Sequence, residues 1–190
     1  IAKENNRYKK IIVTTAEKIP IKDESVDFVF SNSVIEHIPD NKSVVSEIGR
    51  ILTKKGIFLF TSPSRYFTEY LFVSNLLRKF GLESLARKYE VYRNSKLHHY
   101  HILDHEEWSR RLKKAGMKVE KYGYYLEPSD IWLWDMIALI VLILGIVIGR
   151  PRSEKLVMGI FHDRIKNIVN RNKQIKLDNG GSLFVLARKI

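Results

Sequence analysis

The first 63 residues contain short apolar runs and one longer stretch with helical spacing. Residues 11–15 and 26–30 are rich in β-branched and aromatic residues, so each run predicts a strand, and the second resembles a strand buried on both faces. From Val44 to Leu52 the apolar spacing predicts an amphipathic helix, which we expect Gly56 to end as a left-handed cap. Residues 57–63 predict a third strand, and the three elements together predict a parallel βαβ unit.

The rest of the chain predicts a helical cover, a capped helix and two more strands. Apolar residues at helical spacing among Arg and Lys over residues 66–92 predict an amphipathic insertion over one end of the sheet. Asp104 and Glu107 have the spacing of a capping box and predict a helix over residues 105–115. Partial alternation over residues 117–126 and 182–189 predicts two strands. The fold class is therefore α/β.

The composition is that of one globular domain with a strong positive charge. The 190 residues are 45% hydrophobic and 28% charged, which excludes a wholly disordered chain and a polytopic membrane protein. There is no cysteine, so disulfides, thiolate metal sites and cysteine nucleophiles are excluded. A net charge of +12 favours phosphate-bearing partners, either nucleic acid or anionic lipid. Residues 1–10 have no start Met and no signal-peptide run, and are typical of the end of a helix within a longer protein.

Three motifs in residues 16–56 give the strongest functional signal. Residues 16–27 read AEKIPIKDESVD, residues 34–38 read VIEHI, and residues 47–56 read EIGRILTKKG. In order and spacing they resemble the motifs of class I S-adenosylmethionine-dependent methyltransferases of the type 11-like group. The resemblance implies a Rossmann-like sheet, mostly parallel with an antiparallel edge strand, and S-adenosylmethionine as the cofactor.

Two features of the family pattern differ here. The family's glycine-rich loop and the acidic residue that ends its second strand would lie before Ile1, so we expect the N-terminal strands to be missing and residues 1–190 alone to bind the cofactor poorly. Thr15 stands where the family has an acidic residue, and its hydroxyl can form a hydrogen bond but carries no charge.

The resemblance implies roles for six residues at the cofactor. It places the first three beside the adenine and the last three after the family's fourth strand, beneath the cofactor: Thr15, Ala16, Glu17, Ser31, Asn32 and Val34. Without the resemblance these residues would be ordinary turns at strand ends. Methyl transfer from a sulfonium requires alignment and exclusion of water, so no catalytic triad is expected.

His37 is the candidate catalytic residue. With Glu36 it places an imidazole near the expected site of methyl transfer, where it can accept a proton from the acceptor or, alternatively, order its loop. Four of the six histidines lie within residues 98–105, and alternation puts His99 and His101 on one side of an extended segment. Their spacing matches no recognised metal motif, so we predict no metal site and leave open a substrate-pocket lining or a polar surface.

An apolar run over residues 131–149 is the second informative feature. It has no charge after Asp135, it begins with Trp132 and Trp134, and residues 150–176 then carry a net charge of +6, from eight Lys or Arg and two acidic residues. This combination predicts association with an anionic membrane, the alternative being a core or dimer helix. The resemblance implies that the strands at 117–126 and 182–189 pair antiparallel, so the segment cannot make a single crossing. It would dip into the membrane and return, lie in the interface or pack against protein.

Together these features predict a partial methyltransferase domain over residues 1–190, with a helical cover at 64–100 and an apolar, basic, membrane-associating insertion at 131–176. The predicted function is methyl transfer to a small-molecule or lipid-linked acceptor, by a cytoplasmic enzyme in peripheral or monotopic contact with a membrane. The alternatives are RNA methylation, suggested by net charge alone, and a non-catalytic membrane or protein interaction fragment. We expect no nucleic-acid partner, because the basic residues flank the most apolar segment.

Overall fold

The computed structural model describes residues 9–171 and 178–190, and these form an α/β fold. The predicted helix end at residues 1–8 and the part of the basic flank at 172–177 lie outside the described residues. The elements, in chain order, are β1 (Val26–Asn32), α1 (Asn41–Ile51), β2 (Leu52–Pro63), α2 (Tyr66–Glu69), α3 (Phe72–Lys79), α4 (Glu83–Lys96), α5 (His105–Lys114), β3 (Met117–Tyr125), α6 (Pro128–Ile148), α7 (Arg150–Arg171) and β4 (Ser182–Lys189).

The four strands form one sheet in the order β1-β2-β4-β3. β1 and β2 are parallel, which confirms the βαβ unit, while β4 is antiparallel to both of its neighbours. Strands β1, β2 and β3 therefore point the same way, and the antiparallel strand lies one position in from the edge that β3 forms. The carboxyl ends of these three strands share one edge of the sheet, where open α/β sheets bind their ligands.

One face of the sheet carries the main core. Helices α1 and α5 pack there over inward side chains of β2 and β4, and Trp108 of α5 meets Phe60 of β2 edge-on, with ring centroids 4.8 Å apart. Asp104 accepts a hydrogen bond from the Glu107 backbone at 2.9 Å, as its capping position predicts. This face fixes the position of α1, and hence of the loop that joins β1 to α1.

The prediction that residues 26–30 are buried on both faces is wrong. Phe28 and Phe30, on the face opposite the main core, are 53% and 58% exposed. Val29 instead packs against the main core. Within the described residues, β1 therefore packs against the core on one face only.

Two further local predictions are wrong. Residues 11–15 form no strand, and Val13 is 90% exposed, because a strand requires a neighbour for its backbone groups and no described strand lies beside this segment. Gly56 does not cap α1: the helix ends at Ile51, and Leu52 begins β2 in extended conformation. Gly56 lies inside β2 at a bulge, where an added Cβ would come within 2.8 Å of the carbonyl oxygen of Thr53.

The predicted helical insertion consists of three helices, α2, α3 and α4. Phe67 and Leu71 are buried with Ile131 of α6, whereas Phe80 is 71% exposed. The apolar face of this region therefore packs mainly against the start of α6.

Helices α6 and α7 form an antiparallel hairpin between β3 and β4. Its two ends meet, since the Gly181 backbone donates a hydrogen bond to the Leu126 carbonyl at 2.8 Å. Gly149 makes the turn between the helices with a φ of 84°. Among the described residues, α6 is the helix whose length and composition would allow it to cross a membrane.

Candidate functional site

The carboxyl end of β1 is fixed to the end of β2 by a threonine. Thr61 Oγ1 donates a hydrogen bond to Asn32 Oδ1 at 2.6 Å and accepts one from the Ser33 backbone at 3.0 Å. Ser33 has a left-handed φ of 48°, which turns the chain away from the sheet. Asn32 and Ser33 are exposed and Ser31 is half-buried, so this edge presents polar groups at the predicted cofactor position.

A short 3-10 turn, Ile35–His37, follows directly. Ile35 and Glu36 are buried, and Ile35 belongs to the main core. Val34, just before the turn, is 50% exposed. Ile35 thus fixes the turn to the main core, while the exposed Val34 can contact a ligand.

Glu36 is a buried carboxylate in this turn. Its side chain is 1% exposed, and its Oε2 has no hydrogen-bond partner within the described chain. Burial raises the pKa of Glu36, although its backbone hydrogen bond and the neighbouring His37 lower it in part. The Glu36 backbone carbonyl accepts a hydrogen bond from the Tyr100 backbone at 2.9 Å, which joins the turn to the histidine-rich segment.

His37 is held over the same segment. Its Nδ1 lies 3.1 Å from the His98 carbonyl, and because a carbonyl can only accept, Nδ1 carries the proton. Its Nε2 lies 3.7 Å from Glu36 Oε1, and its ring centroid is 5.3 Å from that of His99. The side chain is 40% exposed, so solvent or a ligand can reach it.

His99 is the inward-facing histidine of the segment. It packs edge-on against Phe67, with centroids 5.5 Å apart, and its Nδ1 is buried with no hydrogen-bond partner among the described residues. Burial lowers the pKa of His99 to about 4, with further lowering by His37 and Arg93. His99 is therefore neutral at physiological pH.

The other histidines of the run have separate positions. His101 is half-buried like His99, as alternation predicts, but its Nε2 lies 2.7 Å from the Pro39 carbonyl. His105 begins α5 and stacks on Tyr122 at 4.1 Å, beside a cavity of about 380 Å³. The structure thus brings His37 together with His99, and not His99 with His101. The sequence pattern does not predict this pairing.

The residues predicted beside the adenine form a turn before β1. The Lys18 backbone donates a hydrogen bond to the Thr15 carbonyl at 3.2 Å, and Thr15 and Glu17 are exposed. Ala16 packs against the main core, which also contains Ile35. The turn that contains Ala16 and the turn that contains Ile35 therefore pack against the same core. The exposed polar groups of the two turns, together with Val34, are suited to contact a nucleoside cofactor at the strand end.

A larger groove of about 1170 Å³ opens at the base of the hairpin. It combines the apolar side chains of Trp132 and Leu133 of α6 with Arg164 of α7, and Tyr70 forms its wall beside α3. We call it the hairpin groove. A mixed apolar and charged lining of this kind suits an amphipathic ligand.

Comparisons with known proteins support the resemblance. Residues 1–60 match the family model described as a methyltransferase domain. A "probable S-adenosylmethionine-dependent methyltransferase" of Mycolicibacterium smegmatis is 44% identical over 48 residues, which are 25% of this chain and 19% of that protein. The dimethylglycine N-methyltransferase of Parasynechococcus marenigrum is 32% identical over 74 residues, 33% of this chain and 26% of that protein.

The fold agrees with a solved structure of Haemonchus contortus phosphoethanolamine N-methyltransferase 2, with a TM-score of 0.50 and 21% identity over 93% of this chain and 36% of the other. The predicted resemblance to class I S-adenosylmethionine-dependent methyltransferases is confirmed, as is the Rossmann-like fold. The chain spans about a quarter or less of the length of the two curated relatives.

Proposed function

We propose that this class I methyltransferase chain belongs to an enzyme that transfers a methyl group from S-adenosylmethionine to a small-molecule or lipid-linked acceptor at a membrane surface. The match of residues 1–60 to the methyltransferase domain is the observation that supports methyl transfer as the reaction. A relative that is named for dimethylglycine supports a small acceptor. The exposed apolar surface of the α6–α7 hairpin supports the proposed contact with a membrane.

The cofactor supplies an activated methyl group, so the chain's own residues have to bind, align and exclude water. Ser31, Asn32 and Val34 would lie beneath the cofactor, with Thr15, Ala16 and Glu17 at its adenine end. Asn32 is fixed by Thr61, and this fixed side chain would keep the strand end in place when the cofactor binds.

His37 is the candidate group for proton acceptance or for acceptor alignment. Replacing it by Ala in the complete protein should lower kcat without changing cofactor affinity if the imidazole accepts a proton, and should lower both if it orders the loop. Methyl transfer from labelled cofactor and calorimetry of cofactor binding give the two readouts. A variant with full rate and full affinity would remove His37 from the site.

The hairpin presents unpartnered apolar surface within the described residues. Leu133, Ile137 and Val157 pack between the two helices. On the outside of α6, four apolar side chains are 54% to 81% exposed: Leu142, Ile143, Ile146 and Val147. Fully burying one such side chain stabilises by about 1.5–3 kcal/mol, so an apolar phase in contact with this face would bind it strongly.

The charges of α7 favour a hairpin that lies in the membrane interface. From Arg150 to Arg171 there are six Lys or Arg and two acidic residues, a net charge of +4. Asp163, Arg164 and Lys166 lie within α7, and each charge at the centre of a bilayer would cost about 2.5–3.5 kcal/mol. Lying in the plane, the hairpin can bury α6 in the acyl boundary while α7 meets anionic headgroups.

Flotation with vesicles tests the membrane proposal. The protein should float with phosphatidylcholine vesicles that contain phosphatidylserine, less with phosphatidylcholine alone, and less in high salt. Changing Ile146→Glu and Val147→Glu should abolish flotation. Val91→Glu is the matched control, because Val91 of α4 is 70% exposed but lies outside the hairpin.

Two results would contradict the membrane proposal. Equal flotation of the hairpin variant and the control would show that the exposed α6 face does not bind lipid. A protein that stays in solution with every vesicle, and that changes from dimer to monomer in the hairpin variant, would assign this face to a second copy of the chain.

A further inference from the structure

Three potential metal ligands converge beside the end of β1. Glu36, His37 and His99 each offer one ligand atom, and these atoms lie within 4.8 Å of one another. Two come from the 3-10 turn and the third from a segment more than 60 residues later in the chain. Bonds of about 2.0–2.1 Å to a tetrahedral ion place neighbouring ligand atoms about 3.3 Å apart, so a small closure of the cluster would reach that spacing.

The cluster contains buried polar atoms that lack partners. Glu36 is 1% exposed, yet its Oε2 has no hydrogen-bond partner in the described part of the chain, and the same is true of the buried Nδ1 of His99. Natural proteins rarely leave a buried carboxylate oxygen without a partner, and a cation bound between the carboxylate and the imidazoles would offset the cost of burying it.

His37 is oriented as metal-binding histidines usually are. Its Nδ1 donates to the His98 backbone carbonyl, which fixes the tautomer and leaves the lone pair of Nε2 facing Glu36. His99 is held against Phe67, with ring centroids 5.5 Å apart. Arg93, a cation of the neighbouring helix α4, forms an ion pair with Asp135 at 3.0 Å, which offsets its charge.

We propose, contrary to the prediction of no metal site from the histidine spacing, that Glu36, His37 and His99 bind one divalent transition-metal ion of the zinc type, with at least one position left open. Two imidazoles and a carboxylate are a donor set that suits Zn²⁺ and Co²⁺, and three protein ligands leave room for water or another ligand. With the ion bound, His37 Nε2 is a ligand and cannot also accept a proton. The inference goes beyond the proposed methyl transfer, and its test requires neither cofactor nor acceptor.

Metal titration of the protein tests the site. Co²⁺ should bind with a stoichiometry of one and give a visible absorption band, and Zn²⁺ should displace it. Glu36→Gln, His37→Gln and His99→Gln should each weaken binding at least about tenfold. His101→Gln is the matched control, because His101 lies in the same segment but contacts Pro39 instead.

Thermal unfolding separates loss of a ligand from loss of the fold. Glu36→Gln replaces a buried carboxyl whose Oε2 has no hydrogen-bond partner among the described residues, so the metal-free variant should unfold at the same temperature as the parent or higher. It should also lose the upward shift in unfolding temperature that Zn²⁺ gives the parent. Binding that survives Glu36→Gln and His99→Gln, binding lost in His101→Gln, or no saturable binding to the parent would each overturn the proposal. Such a failure would leave the methyl-transfer proposal untouched.

Discussion

Replacing Asp135 by Asn is a direct test of how the hairpin is attached to the rest of the protein. Asp135 is fully buried in α6. It accepts hydrogen bonds from Tyr89 Oη at 2.8 Å and from the Val73 backbone at 3.2 Å, and it lies 3.0 Å from Arg93 Nε. One carboxylate thus joins α6 to both α3 and α4.

The expected cost follows from what Asn keeps and what it loses. Its carbonyl oxygen can accept one of the two hydrogen bonds, but the negative charge opposite Arg93, which is 14% exposed, disappears. Breaking a buried ion pair costs about 3–5 kcal/mol, because the remaining charge stays buried. The Arg93 guanidinium also lies 4.6 Å from the centroid of the Trp134 ring, and that contact survives. We therefore expect a loss of about 2–4 kcal/mol.

Guanidinium unfolding followed by tryptophan fluorescence measures this loss. The control is a pair of changes, Arg93→Met with Asp135→Leu, which removes both charges. If the cost arises from an uncompensated charge, the double variant should be more stable than Asp135→Leu alone by at least about 1 kcal/mol. An Asp135→Asn protein within about 0.5 kcal/mol of the parent would refute the reasoning, because surface changes have effects of that size.

Two further predictions concern α1. Gly49→Ala should destabilise by about 1–3 kcal/mol in guanidinium unfolding, because a Cβ there would collide with the Ala115 carbonyl oxygen. The control is Gly159→Ala in α7, which should be neutral or stabilising because nothing lies near its Cβ in the described structure. Hydrogen bonds from Arg50 and the Ile19 backbone lower the pKa of Glu47 from 4.5 to about 2, so this contribution to stability is present above pH 4.5 and is lost as the pH falls towards about 2. Urea unfolding across that range should show a shallower loss for Glu47→Gln than for the parent, and equal slopes would contradict the assignment.

The elements predicted correctly are those with local signals. The spacing from Val44 to Leu52, the cap at Asp104 and the alternation in β3 and β4 each specify one element through neighbouring residues. The pairing of β3 with β4 followed from the resemblance, and the register confirms it. Such signals do not depend on which other elements surround them.

The elements predicted wrongly depend on neighbours. Residues 11–15 have strand composition, but a strand requires a partner, and no described strand lies beside them. The chain that follows is tied to α1: Ile19 donates its N–H to Glu47, and Arg50 donates to the Ile19 and Ile21 carbonyls. Gly56 follows a helix at a plausible distance, yet the positive φ falls on Lys55, because β2 begins without an intervening cap.

The candidate site was predictable only in part. Motif spacing indicated Glu36 and His37, and alternation placed His99 and His101 on one side of an extended segment, where both are half-buried. No local sequence pattern predicts the contact between the His99 and His37 rings. That contact depends on the hydrogen bond that the Tyr100 backbone donates to the Glu36 carbonyl, 64 residues earlier in the chain. The assigned roles of Thr15, Ala16, Glu17, Ser31, Asn32, Val34 and His37 stay predictions.

The position of the hairpin bears on the kind of acceptor. Phe67 contacts the His99 ring on one side, at 5.5 Å, and the Trp134 ring on the other, at 5.7 Å. One aromatic side chain thus separates the histidines at the end of β1 from the start of α6. Because both ends of the hairpin return to the same edge of the sheet, lipid bound along α6 would lie beside this edge. The proposed lipid-linked acceptor would fit this arrangement with an apolar tail along α6 and a reactive polar end near His37.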